Sequence, residues 1–392
     1  MSSAESDTPR VFLLEGQALQ ATRNKIYDGD PELSAADQRL LQDAEEASAV
    51  GPFTVVDKET MPPSGDRHDY LSQAPYWWPD PDGKDGLPWV RRDGEANPDR
   101  ESHDREALAA MLSAVNTLAA AYYFSDLEDF AERAGLLLRT WFLDPETRMN
   151  PHLQFAQGIA GITEGRGIGI IDTAQIGFLI DSVGLLGKSA AWTHADQQSL
   201  VDWMRQFLTW LTDSDHGRSE AAAANNHGTW YDVQVLSLAL FTGNDDLARQ
   251  IAARAPQRLH SQIEADGTQP LELARTRSLD YCMMNLTGLF DLADLCAHCD
   301  VDLWSYEGEG GRSLHRALDW LVANGLVSEW IRPQIEHFDA VRWAPVLYRG
   351  AQRFGDSAYA ERIAHLGLTD AEGGGEDAAV DRMNLLYPAL PA

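Results

Sequence analysis

Lysine is almost missing from this chain: 4 Lys stand beside 27 Arg in 392 residues. Arginine therefore carries nearly all the positive charge, and its planar guanidinium grips a carboxylate through two parallel hydrogen bonds, as an ammonium does not. Positive charge is itself scarce, because 31 basic residues face 61 acidic ones and leave a net charge of -30. So acidic a chain repels a phosphate polyanion, which excludes nucleic acid as a general partner. Three cysteines, Cys282, Cys296 and Cys299, are too few for a disulfide scaffold and suit a reducing compartment. Cys296-Ala297-His298-Cys299 lacks a second Cys or His pair at a matching spacing, so buried thiols on a helix are expected there rather than a metal. No run of 18 or more apolar residues occurs, and residues 1–10 are not basic then hydrophobic. Neither a membrane span nor a secretory signal is read, and the cytoplasm is the expected compartment.

What is present is a 44% hydrophobic chain with helical periodicity along most of its length. Residues 15–50 read as helical. Further helix-period segments follow at 103–124, 126–142, 172–188, 196–211, 230–241, 245–264, 278–298, 312–324 and 357–366, while convincing alternating strands are absent. Consecutive helices without a strict repeat predict an all-α fold of stacked helical hairpins, a closed or partly closed (α/α) toroid forming one domain over 1–392. Residues 51–101 break the pattern with eight of the 18 prolines and the aromatics Tyr70, Tyr76, Trp77, Trp78 and Trp89. A loop this long and this aromatic is expected to be functional rather than disordered. The Gly-rich and acidic stretch Asp370 to Asp377 reads as a mobile loop before a docked segment, Met383 to Leu390.

Three segments carry candidate chemistry. Asn225-Asn226-His227-Gly228-Thr229-Trp230-Tyr231-Asp232 brings two amides and an imidazole to the start of an apolar helical run, where free N–H groups favour an anion such as a carboxylate. The plain alternative is helix capping by Asn225 or Asn226. Met149 to Gly158 leads into Glu164-Gly165-Arg166-Gly167-Ile168-Gly169, whose glycines allow tight backbone around Arg166. That segment is no Walker motif, so no nucleotide cofactor is read from it; Arg166 is an anion contact or a structural partner of Glu164 or Asp172. In Arg275-Thr276-Arg277-Ser278-Leu279-Asp280-Tyr281, two guanidiniums precede a tyrosine and are expected to lower its pKa from about 10 toward a value useful for proton transfer. A core tyrosine is the alternative. In the aromatic loop, Tyr76-Trp77-Trp78 between prolines offers faces that stack on sugar rings, with one of the two Trp expected to serve the ligand and the other the core.

Tyr-Trp-Trp-Pro-Asp-Pro at 76–81, Glu-Gly-Arg-Gly-Ile-Gly at 164–169 and Asn-Asn-His-Gly-Thr-Trp-Tyr at 225–231 together resemble the alginate lyase superfamily, polysaccharide lyase families five and thirty-eight. The resemblance spans about residues 65–345. It implies an incomplete helical toroid that cleaves uronic acid polymers by β-elimination without a required metal or other cofactor. It further implies that Asn226, His227, Tyr281 and Arg275 or Arg277 form the active site. Tyr76, Trp77, Trp78, Gln157, Arg166, Asn225 and Trp230 are the candidates for holding the sugars of an anionic polysaccharide. Cys282-Met283-Met284 departs from the His-rich family five version, so family thirty-eight is the nearer. A glycoside hydrolase on a similar toroid and a catalytically silent glycan-binding protein are the rival readings.

Overall fold

The computed structural model describes residues 8–366 and 382–387. In chain order the first helices are α1 (Gly16–Tyr27), α2 (Pro31–Ser48), α3 (Asp104–Ser125), α4 (Glu128–Leu138), α5 (Ile176–Leu185), α6 (His194–Asp213) and α7 (Asp215–Ala221). Then come α8 (Asn226–Thr242), α9 (Asp245–Gln262), α10 (Pro270–Leu273), α11 (Ser278–Ala297), α12 (Leu314–Leu321), α13 (Trp343–Phe354) and α14 (Ser357–His365). Helices α3, α5, α8, α11 and α13 pack in succession, with α4 against α3, α6 and α9 against α8, and α12 against α11. The result is the helical toroid that the periodicity predicts.

Burial explains which helices line the middle. In α8 residues on every face are buried, including Thr229, Asp232, Gln234 and Ser237 among its apolar residues, and α11 is similar. A helix buried all round has to lie between neighbours, whereas amphipathic α6 presents one stripe inward through Leu200, Trp203, Met204, Phe207 and Leu211. Helix α3 is apolar and long enough by composition to cross a membrane, and it too is a core helix here. One connected cluster of buried side chains runs from Val11 to Leu386.

The differences from the sequence reading are local. Helix α8 starts at Asn226, earlier than the 230–241 run, because Asn226 to Thr229 complete a first turn that apolar periodicity does not mark. Short α7 and α10 were not expected, nor was α13, which carries a proline in its first turn. Four short strands also escape the pattern: β1 (Leu71–Gln73) pairs in parallel with β4 (Phe155–Gly158), and β2 (Trp77–Trp78) pairs antiparallel with β3 (Val90–Arg91). Strands of two to four residues are too short to show alternation. The glycines at 165, 167 and 169 serve close approach. A Cβ would fall 2.0 Å from Gln154 O at the first and 2.5 Å from Ala156 Cβ at the third, so this loop crosses β4 with no room for side chains. Asp370 to Asp377 lies outside the described residues. Of the expected docked segment, 382–387 is described, with Leu385 buried and Arg382 bonded to Asp43 and Thr117.

Candidate active site

Residues from six separate stretches meet around a cleft of about 460 Å³: the aromatic loop, the start of α3, β4, the glycine loop, the start of α8, and the segment from Arg275 to Met284. That volume is ordinary for a ligand site. Four arginines, Arg91, Arg105, Arg166 and Arg275, line it together with the imidazole of His227, and among the described residues no Asp or Glu lines it.

The sheet of β2 and β3 sorts the two tryptophans. Trp77 is paired with Arg91 and Trp78 with Val90, and successive side chains of a strand point to opposite faces. Trp77 and Arg91 therefore both line the cleft. Trp78 is turned away, with its indole N–H on Glu95 O at 3.0 Å and the Arg92 guanidinium 5.0 Å from its ring. Trp230 is a second correction: it is 6 % exposed, packs where a Cβ on Gly288 would reach its ring, and belongs to the core between α8 and α11. Arg277 is the third. It pairs with Asp280 at 3.1 Å and Glu336 at 2.8 Å outside the cleft, so Arg275 is the arginine that accompanies Tyr281.

Arg275 holds Asp93 through two bonds, Nε to Oδ2 at 3.2 Å and Nη2 to Oδ1 at 2.7 Å, and Nη2 also donates to the Tyr281 hydroxyl at 2.9 Å. Its guanidinium carbon lies 3.9 Å from the centre of the Tyr281 ring. Burial opposes the charge on Asp93, yet the bonds and charge of Arg275, with Thr276, hold its carboxyl well below the usual carboxylate range. Tyr281 in turn donates to the Tyr76 hydroxyl at 2.8 Å. The expected lowering of the Tyr281 pKa is reversed. Burial pushes the phenol well above its ordinary value, Tyr76 adds to this, and the opposing charge of Arg275 is partly spent on Asp93.

At the start of α8 the expected anion site is already filled from within. Glu272 on α10 accepts the Asn226 backbone N–H at 2.7 Å and its side-chain amide at 2.7 Å, while Asn225, at the N-cap, makes no side-chain cap bond. His227 Nδ1 donates to buried Glu220 of α7 at 2.6 Å, which leaves Nε2 as the free ring nitrogen. Across the cleft, Arg166 donates to Gln157 at 3.0 Å and Gln157 donates to Asp172 at 3.0 Å. Asp172 also lies 3.6 Å from Arg105. Arg166 thus touches neither Glu164 nor Asp172 directly and has no carboxylate partner among the described residues. Burial and the facing charge of Arg91 lower its pKa, a strain that a bound anion relieves.

Tyr76, Trp77, Gln157, Arg166, Asn225, Asn226, His227, Arg275 and Tyr281 are thus brought together, and Trp78, Trp230 and Arg277 are not. Glu220, Glu272, Arg91, Asp93, Arg105 and Asp172 escaped the sequence reading as site residues. Arg91 and Asp93 carried a signal, since they sit in the same loop as the aromatics, and Asp172 stood out only as a structural partner for Arg166.

A second cavity of about 460 Å³ lies elsewhere, lined in part by Arg10, Arg23, Tyr122 and Trp192. Its arginines are committed, Arg10 to the carbonyls of Leu240 and Phe241 and Arg23 to Asp126.

The family model described as alginate lyase matches residues 54–330. Among solved structures, an alginate lyase from Bacteroides ovatus is 37% identical at a TM-score of 0.90, the match covering 97% of this chain and 99% of that one. Alginate lyase A1-III from Sphingomonas species A1 shares 16% identity at a TM-score of 0.56, covering 91% and 92%, a likeness of fold alone. No curated protein matches the chain in sequence.

Proposed function

The chain belongs to the alginate lyase family, and from that premise we propose that it cleaves a β-1,4-linked polyuronate, a polymannuronate or a glucuronan, by β-elimination. The product carries a 4,5-unsaturated uronic acid at its new non-reducing end. That the chain is a polysaccharide lyase follows from the family; the substrate and the roles of the residues are our reading. The observation that carries it is a cleft lined by four arginines and a histidine, without a carboxylate, in a protein of net charge -30. Cations gathered in a low-dielectric cleft attract a polyanion against the mean field of the molecule. A glycoside hydrolase needs two carboxylates about 5 to 10 Å apart across the scissile bond, and this cleft supplies none.

Elimination removes the proton on C5, beside the sugar carboxylate, and the charge that develops moves onto that carboxylate. Arg275, and the Asn226 amide once its N–H groups are turned from Glu272 toward the cleft, are the donors suited to hold it, a contact worth roughly 3 kcal/mol each when it strengthens in the transition state. Tyr281 keeps its proton because its phenolate is buried and disfavoured, so it suits the acid that protonates the departing O4. The base is then another group, and His227 Nε2, with the ring fixed from behind by Glu220, is the candidate the cleft offers. Trp77 stacks on a neighbouring sugar, and Arg166 with Arg91 receives a neighbouring carboxylate.

The test is ultraviolet absorbance of the conjugated product after mixing the protein separately with polymannuronate, polyguluronate and glucuronan. A rise on polymannuronate or glucuronan is expected. New reducing ends without that absorbance would mean hydrolysis, and binding without either signal would mean a silent glycan binder. Replacing Arg166 by alanine is expected to raise KM about tenfold or more, since a charge-assisted bond contributes about 1.5–3 kcal/mol. The effect should shrink as salt screens the site, and an unchanged KM at low salt would remove Arg166 from substrate binding.

A further inference from the structure

Glu272 is 1 % exposed, and both of its oxygens are aimed at one residue. Oε1 takes the Asn226 backbone N–H and Oε2 the side-chain nitrogen, both at 2.7 Å. Asn226 lines the cleft, and its amide oxygen is buried without a hydrogen-bond partner. This orientation turns an acceptor away from Glu272, the wrong polarity for meeting a sugar carboxylate. An amide's oxygen and nitrogen differ in hydrogen bonding but hardly in shape, so half a turn about the Cβ–Cγ bond exchanges them at little steric cost. The exchange needs a donor on Glu272, because an ionised carboxylate only accepts.

We propose that Glu272 is a positioning residue that acts as a proton-dependent switch on Asn226. Un-ionised, it donates from Oε2 to the amide oxygen and turns the amide N–H groups toward the substrate carboxylate. Oε1 continues to accept the backbone N–H in both states, and the proton comes from solvent. The inference rests on the lyase reading for its consequence, though not for the proton on Glu272. Burial raises the Glu272 pKa above the ordinary carboxylate value. The two Asn226 donors and the charges of Arg275 and His227 oppose that shift, and the Cys282 thiol faces it from α11. The sign follows. The group is protonated below its raised pKa, so the competent orientation is present there and is lost as pH rises through that value.

Glu272→Gln imitates the un-ionised acid, with a permanent N–H for the Asn226 oxygen and an oxygen for the backbone N–H. It is expected to retain activity and to lose the fall in kcat/KM that wild type shows as pH rises. Glu272→Ala is expected to lose about 10²-fold at every pH, the effect of removing one transition-state donor. A glutamine variant as inactive as the alanine variant, with both melting like wild type, overturns the switch, and so does one that keeps the wild-type fall. Infrared difference spectra of wild type against either variant read the carboxyl directly. An un-ionised acid band from Glu272 that titrates away with rising pH supports the inference, and its absence at acidic pH overturns it. That second readout needs no polymer, so a protein that cleaves no polyuronate sinks the lyase reading while the spectra still decide on Glu272.

Discussion

Replacing Tyr281 by phenylalanine is expected to lower kcat by about 10²- to 10⁴-fold while leaving KM within about twofold, the effect of removing a proton-transfer group without its ring. The hydroxyl lies between Arg275, which donates to it at 2.9 Å, and Tyr76, which accepts from it at 2.8 Å. Those two bonds fix the oxygen, and the buried environment keeps its proton in place. Phenylalanine leaves the ring packed under the Arg275 guanidinium and preserves the shape of the cleft, so binding should survive. Steady-state rates on the cleaved polymer, with oligosaccharide binding followed calorimetrically, check both halves. Full activity in the phenylalanine variant would remove Tyr281 from the chemistry.

Arg275→Ala should lower kcat/KM by about 10²- to 10³-fold, the range seen when one donor to a developing oxyanion is removed. Three functions would be lost together: the proposed contact to the sugar carboxylate, a donor to Tyr281, and the bidentate partner of Asp93. Because Asp93 would be left as an uncompensated negative charge beside the cleft, the double variant Arg275→Ala/Asp93→Asn separates the effects. If repulsion by Asp93 causes the loss, the double variant recovers most of it. If the missing donor causes it, the double variant stays as slow as the single one, which is the expected result. The parallel substitution Arg277→Ala is the control, because Arg277 is engaged with Asp280 and Glu336 outside the cleft, and its kcat/KM should stay close to wild type.

Arg275 and Arg277 also illustrate what a sequence leaves open. Both precede Tyr281 on the segment leading into α11, and spacing alone does not separate them. Their partners do: Asp93, far away in the chain, captures Arg275 beside the cleft, while Asp280 and Glu336 hold Arg277 away from it. The same holds for the phenol of Tyr281. Two nearby guanidiniums suggest a lowered pKa, and burial, which no local pattern reveals, reverses the direction. Trp77 and Trp78 were separable in principle by strand alternation, but the strands that impose it are two residues each. Trp230 belongs to the core because α8 is buried on every face, which a single apolar stripe does not announce.

By itself the sequence determined the helical class, the place of the long aromatic loop and the three segments that supply the cleft. Apolar period, proline content and short-range motifs are local properties, written within a few residues of one another. Tertiary structure alone decided which carboxylates stand behind the site. Glu220 fixes His227 from α7, Glu272 holds Asn226 from α10, and Asp172 anchors Gln157 from the glycine loop. Each is one acid among 61 and is distinguished only by being buried against a particular partner. Burial against a partner is a long-range property: the toroid has to close around a charge before that charge acquires a definite proton, orientation and role.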